Sequence, residues 1–175
     1  SSDNDFYPGP IDPNTGTTEL QTCLNWDRFF TVTGTEIDQH LRNYAVAKLA
    51  GVPYEIDSIP DGVKYWPGKG NPYFLQKFGF ELPNTEQALG SFWDADFDNN
   101  YDPANGDYPI IEIRGCEELD IAPQYGDQMI FWIYNDAGNI HNESQGDPLQ
   151  MEIQVQAFSY ATNDEINDIV IYFLT

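Results

Sequence analysis

The chain has little positive charge. Seven Lys and Arg residues stand against 29 Asp and Glu, giving a net charge of −22 over 175 residues. Nucleic acids and anionic membranes are held by basic patches, so neither is a partner to expect. Cysteine is scarce as well. Cys23 and Cys116 are too few for a disulfide framework; they either form one bridge in an oxidising compartment or remain two buried thiols. Histidine is limited to His40 and His141, which excludes a three-histidine zinc site, and a mixed site on His141 and Glu143 lacks a third ligand. His40 falls beside the apolar face of a helix and reads as structural. His141 sits in the polar loop Asn139-Ile-His-Asn-Glu-Ser144 and either satisfies that loop or orients a substrate. No apolar run is long enough to cross a bilayer, so membrane insertion is not expected. There is no Gly-x-Ser-x-Gly elbow, phosphate-binding glycine loop, dinucleotide fingerprint or internal repeat. Among 29 acids, some carboxylate pair falls at glycosidase spacing by chance, so no catalytic pair stands out.

What the chain does have is aromatic residues: 11 Tyr, 11 Phe and 4 Trp within a 41% hydrophobic composition. That content argues for a folded core, and the length fits one domain over residues 1–175. Residues 1–19 are rich in Asp, Pro, Gly and Thr and read as an irregular leading segment. Arg28–Thr33 reads as a strand. Thr33-Gly-Thr-Glu36 is a capping box that opens a helix, with Ile37, Leu41, Tyr44 and Ala45 on one face and a stop near Gly51-Val-Pro53. Residues 51–83 carry five prolines and form a long loop, pinned to the sheet by Tyr65, Trp66, Tyr73, Phe74 and Phe78. Asn84-Thr-Glu-Gln87 predicts the cap of a second short helix, with Ala88, Leu89 and Phe92 inward. Tyr108–Arg114 reads as a strand, and Gln128–Tyr134 as a central strand covered on both faces. In Met151–Ala157 the alternation puts Met151, Ile153, Val155 and Ala157 on one side and Glu152, Gln154 and Gln156 on the other. A turn at 162–165 precedes a last strand over 168–174. The fold class is mainly β (α+β): an antiparallel sheet or β-sandwich with two short appended helices and long Pro/Gly loops.

One loop concentrates the acids: Asp94-Ala-Asp96-Phe-Asp98-Asn-Asn100-Tyr-Asp102-Pro-Ala-Asn-Gly106-Asp107. Its spacing turns several oxygens toward one point, as hard cations with many oxygen ligands require. The expected ligands are the side chains of Asp94, Asp96, Asp98 and Asp107 and the carbonyl of Asn100, with Asp102 acting through water. A helix leading into Asp-x-Asp-x-Asp is similar to the first half of an EF-hand. Position 6 is Asn99 instead of Gly, position 12 is Asn105 instead of Glu, and a strand follows instead of a helix. Calcium is expected ahead of magnesium, which keeps its own waters. The alternative is an exposed acidic turn with no ion.

Tyr65, Trp66, Trp93 and Tyr101 border loops and either anchor them to the core or stack on sugar rings. Several strings also occur together: Tyr7-Pro-Gly-Pro10, Trp66-Pro-Gly-Lys-Gly-Asn-Pro72, Gly106-Asp-Tyr-Pro109, Asp127-Gln-Met-Ile-Phe-Trp-Ile-Tyr-Asn-Asp136 with Ile140-His-Asn-Glu143, and Gln150 through Asn167. Together they resemble a region of large modular proteins of Bacteroidota exported by the type IX secretion system. In that pattern the acidic loop commonly reads Asp-x-Asn-x-Asp-Gly; Asp96 and Asn99 differ here and leave the oxygen ligands intact. The resemblance implies a secreted or cell-surface location and carries no catalytic motif. Starting at Ser1-Ser-Asp-Asn-Asp5 and ending inside an apolar run, the chain is expected to be a fragment of a longer protein. The expected role is a calcium-stabilised, non-enzymatic structural or adhesive module with a glycan or surface-protein ligand. A carbohydrate-binding module using loop aromatics, or part of a secreted hydrolase, are the alternatives.

Overall fold

The computed structural model describes residues 5–111, 124–138, 140–142, 145–161 and 170–174. They form an α+β fold built on an antiparallel sheet. Its strands are β1 (Tyr7–Pro8), β2 (Phe30–Thr33), β5 (Gln128–Asn135), β6 (Glu152–Ser159) and β7 (Val170–Leu174). The run Gln128–Asn135 takes the centre, paired along its full length with β6. Its other edge is shared end to end. β2 pairs with Gln128–Phe131 and β1 with Tyr134–Asn135. β7 closes the far side of β6. A separate two-stranded ladder joins β3 (Phe92–Trp93) to β4 (Tyr108–Pro109).

The inward face of β5 carries Met129, Phe131 and Ile133, all buried, and Asn135, which donates to the Gly9 carbonyl at 2.7 Å. Helix α1 (Leu20–Trp26), helix α2 (Gly34–Ala50) and the short helices α3 (Asp61–Lys64) and α4 (Phe74–Phe78) accompany the sheet. Trp26, Phe30, Phe74, Phe78 and Phe80 form one aromatic cluster, mostly at edge-to-face and tilted angles, with Trp26 stacked on Phe74. α2 starts where its sequence says. The Thr33 hydroxyl accepts from Glu36 N–H and the Glu36 carboxylate accepts from Thr33 N–H. It ends on Gly51 at φ +68, the left-handed stop that glycine allows. Its buried side is Ile37 and His40, with Leu41, Tyr44 and Ala47 packed on the core; Ala45, expected on that face, is exposed.

Two further expectations change. The helix after Asn84 does not form. Leu89 stands at φ +60, the Ala88 carbonyl accepts from Lys69 N–H at 2.9 Å, and Gly90 N–H donates to the Pro67 carbonyl at 3.1 Å. Those backbone groups serve the 67–69 loop instead of a helical ladder. The leading segment is not wholly irregular, since Tyr7–Pro8 enters the sheet. The β6 alternation holds, and pairing with β5 decides which side meets the core. Gln156 pairs opposite Phe131 and is buried, donating to the Ile110 carbonyl at 2.8 Å. Ile153, Val155 and Ala157 lie opposite Tyr134, Trp132 and Ile130 on the outer face. That face is therefore apolar, and Phe29, Phe6 and Tyr172 on it are more than half exposed. Of the expected 108–114 strand, Tyr108–Pro109 is strand and residues 112–114 lie outside the described residues, as does the 162–165 turn. Among the described residues, no helix is long and apolar enough to cross a membrane.

Candidate metal centre

The β3–β4 ladder explains why the acidic residues meet. Trp93 pairs with Tyr108, so the next residue on each side, Asp94 and Asp107, begins and ends the connecting loop at adjacent points. The EF-hand comparison fails here, because a strand and not a helix leads in. Oxygens of Asp94, Asp96 and Asp107 all lie within 4.8 Å of one another.

Each of the three is held differently. Asp107 is fully buried. Its Oδ1 accepts from Ala95 N–H and its Oδ2 from Asp102 N–H, both at 2.8 Å, so one carboxylate ties the two limbs of the loop together. Burial pushes that carboxyl up to about 6. The two amides pull it down, and the charges of Asp94 and Asp96 push it up again. Asp94 receives the amides of Phe97 and Asn99 at 2.7 and 2.8 Å, and of Asp98 at 3.3 Å. Phe97 and Asn99 both stand near φ +62. The left-handed turns fold successive N–H groups into a concavity that suits an anion, and Asp94 fills it. Burial works to raise the Asp94 carboxyl; the three amides and Asp96 outweigh it and hold it below its ordinary value. Asp96 is exposed and accepts from the Asn105 carboxamide at 2.9 Å.

Two other expected side-chain ligands, Asp98 and Asp102, serve the loop itself. Asp98 accepts from Asn100 N–H at 2.7 Å, and Asp102 caps a single 3₁₀ turn, Pro103–Asn105, through Ala104 N–H at 2.9 Å. Asn100 donates its side-chain amide to the Asp98 carbonyl. The carboxylates brought together are therefore Asp94, Asp96 and Asp107, with Asp98 and Asp102 in turns around them.

The floor beneath this loop is part of the site, and sequence reasoning missed it. Tyr101 is fully buried; its hydroxyl donates to the Val63 carbonyl at 2.5 Å and its N–H to the Lys69 carbonyl at 2.6 Å. Gly106 lies against Tyr44 of α2, so close that a Cβ there would stand 2.6 Å from the ring. His40, one turn earlier on α2, is fully buried and shares 3.3 Å with the Tyr54 hydroxyl through Nδ1. Burial pushes its imidazole down to about 4, against the backbone of Asp107 and Gly106, which holds it up. Its Nε2 has no well-formed hydrogen bond. The signal available in the sequence was the spacing of His40 and Tyr44 by one helical turn.

The remaining candidates separate cleanly. Trp66 is buried, and its indole N–H donates to the Ser91 carbonyl at 3.2 Å, so Trp66 and Tyr101 anchor loops and face no ligand. Trp93 is 38% exposed. Cys23 carries a free thiol, and Cys116 lies outside the described residues. His141 stands 3.5 Å from Asp136, whose buried carboxylate also accepts from Leu149 and Met151 N–H at 2.7 Å. That cluster closes the β5–β6 connection; Glu143 lies outside the described residues. Glu36 and Asp61 share one cleft, but Glu36 caps α2 and accepts from Gly62 N–H, and Asp61 pairs with Lys77 at 2.8 Å.

No family model, curated protein or solved structure matches the chain.

Proposed function

We propose that this protein is a calcium-stabilised extracellular module of a secreted bacterial surface protein, structural or adhesive and not an enzyme. The observation that carries the reading is the closure of the β3–β4 hairpin on three carboxylates whose oxygens fall within 4.8 Å. The donor set is all oxygen, which suits a hard cation, and backbone carbonyls and water complete the six to eight ligands that calcium takes. The cation offsets the mutual repulsion of Asp94, Asp96 and Asp107 and ties the hairpin to the Tyr101 and α2 floor. Weak sites on the order of 10⁻⁴ to 10⁻³ M are filled in calcium-rich extracellular media, which fits the secreted location.

A thermal melt with calcium titrated against chelator tests this. At a hundredfold excess over Kd the folded state gains about 2.7 kcal/mol. For a chain of this size that raises Tm by roughly 5–10 °C. An unchanged melt sinks the proposal.

A second reading, glycan binding, is favoured by the outer sheet face and not by the loops. Phe29 stands edge-on to Trp132 at 5.3 Å and Phe6 edge-on to Tyr134 at 5.7 Å, leaving aromatic surface open to solvent. A glycan array in which hits disappear with Trp132→Ala supports it; an empty array counts against it.

A further inference from the structure

We infer that Asn105 is a deamidation site in the acidic loop, and that the reactive state is the loop without its cation. The second clause rests on the metal reading above; the first does not.

Asn105–Gly106 is the single Asn–Gly step in the chain. The reaction needs only water. The Gly106 backbone nitrogen attacks Asn105 Cγ, a C–N bond forms, and the Cγ–Nδ2 bond breaks. The amide proton leaves with the side-chain nitrogen as ammonia. The resulting five-membered imide takes up one water at either carbonyl and opens to aspartate or to isoaspartate. No oxidant or reductant enters.

The local geometry suits this step. Gly106 has no Cβ to hinder ring closure and stands at φ +105, a backbone region open to glycine. Asn105 is exposed, so water reaches the imide. Three hydrogen bonds hold the reacting groups. Gly106 N–H donates to the Pro103 carbonyl at 3.2 Å, Asn105 N–H to the Asp102 carbonyl at 2.9 Å, and Asn105 Nδ2 to Asp96 at 2.9 Å. The first, on the attacking nitrogen, is the longest of the three. All belong to one 3₁₀ turn of three residues; Asn105 is exposed, but Gly106, which carries the attacking nitrogen, is buried against Tyr44, so the step requires the turn to open locally. Without a cation, Asp94, Asp96 and Asp107 repel one another and favour that opening. With a cation they hold the hairpin shut.

The products change the site in opposite directions. Aspartate at 105 replaces the amide donor facing Asp96 with another carboxylate, adding an oxygen ligand to the cluster. Isoaspartate lengthens the main chain by one methylene ahead of Gly106 and moves Asp107 out of its place beside Asp94.

The test is peptide mapping by mass spectrometry after incubation in mildly alkaline buffer, with chelator, with calcium, and in urea as the unfolded reference. In chelator, residue 105 converts to a mixture of aspartate and isoaspartate, about tenfold slower than in urea. Calcium slows it several-fold further, and Asn105→Gln, whose ring closure is disfavoured, stays intact. If Asn105 remains intact in chelator while the urea sample has converted, the deamidation site is overturned. Equal conversion with and without calcium overturns the cation gating alone. The mass change at residue 105 is read independently of the melt, so failure here and failure of the calcium reading are told apart.

Discussion

Asp107 does two things with one carboxylate, and a substitution separates them. Its oxygens accept from Ala95 and Asp102 N–H across the loop, and it is the buried member of the carboxylate triad. Asn at this position keeps one acceptor and turns an N–H₂ toward the other amide. Asp107→Asn therefore costs about 1–3 kcal/mol in chelator through the unsatisfied amide and also abolishes the calcium-dependent rise. Retention of the full calcium shift would remove Asp107 from the site. His40, directly below, provides a pH test whose sign is fixed. Its folded value, about 4, lies below the ordinary 6.5. As pH falls from 6.5 the unfolded chain takes up a proton that the fold refuses, so stability is lost down to pH 4, by on the order of 3 kcal/mol. Asp107 acts the other way in the same window. Its folded value, about 6, lies above the ordinary 3.8, so its contribution is present at low pH and lost as pH rises through 6. The two slopes oppose, and the wild-type profile in chelator is flattened. His40→Gln removes one of them, so the difference between wild type and variant changes between pH 6.5 and 4. Parallel profiles would show that His40 takes up its proton at the same pH in the fold as in the unfolded chain.

At the scale of elements, α2 is fixed by a pair of residues, one of which reaches beyond the helix. Thr33 and Glu36 cap the first turn reciprocally, and Glu36 Oε1 also accepts from Gly62 N–H at 3.0 Å, tying α2 to α3. Thr33→Ala loses the cap alone, about 1 kcal/mol. Glu36→Ala loses the cap and the tether, and urea denaturation should place it lower than Thr33→Ala. Equal losses would show that the α3 contact contributes nothing. The capping box, the α2 stop at Gly51, and β2, β5, β6 and β7 were legible because each depends on a few neighbouring residues. Residues 84–93 were misread for the opposite reason. Asn84, Thr85 and Gln87 give a local helix-start signal, but Gly90 packs against Trp66, leaving 2.6 Å to the position of a Cβ, and the backbone is used by the loop at Pro67 and Lys69. No local pattern reports that. β6 shows a second limit. Alternation fixes that Val155 and Gln156 point to opposite sides, but which side faces the core is set by pairing with β5 and by the Ile110 carbonyl that receives Gln156. The acidic loop was legible as a cluster, whereas the division between Asp94, Asp96 and Asp107 in the triad and Asp98 and Asp102 in turns required the Trp93–Tyr108 pairing.

Across the whole molecule, a net charge of −22 stabilises no contact by itself and acts against compactness. Two kinds of cation effect must therefore be distinguished. Any salt relieves diffuse repulsion, most steeply where the Debye length falls from about 30 Å at 0.01 M to about 10 Å at 0.1 M. A bound ion instead acts at one place and saturates with a Kd. The chelated protein should thus gain thermal stability with sodium chloride and level off. At matched ionic strength calcium should add a further, saturable rise, with magnesium adding less because it gives up its waters reluctantly. The double variant Asp94→Asn, Asp107→Asn separates the two. It removes two of 29 acids, so its response to sodium chloride stays close to that of the parent, while the calcium-specific rise disappears. If the double variant keeps that rise, the ion is held elsewhere on the acidic surface. If sodium chloride alone reproduces the whole effect in the parent, the stabilisation is screening and the hairpin is an acidic turn.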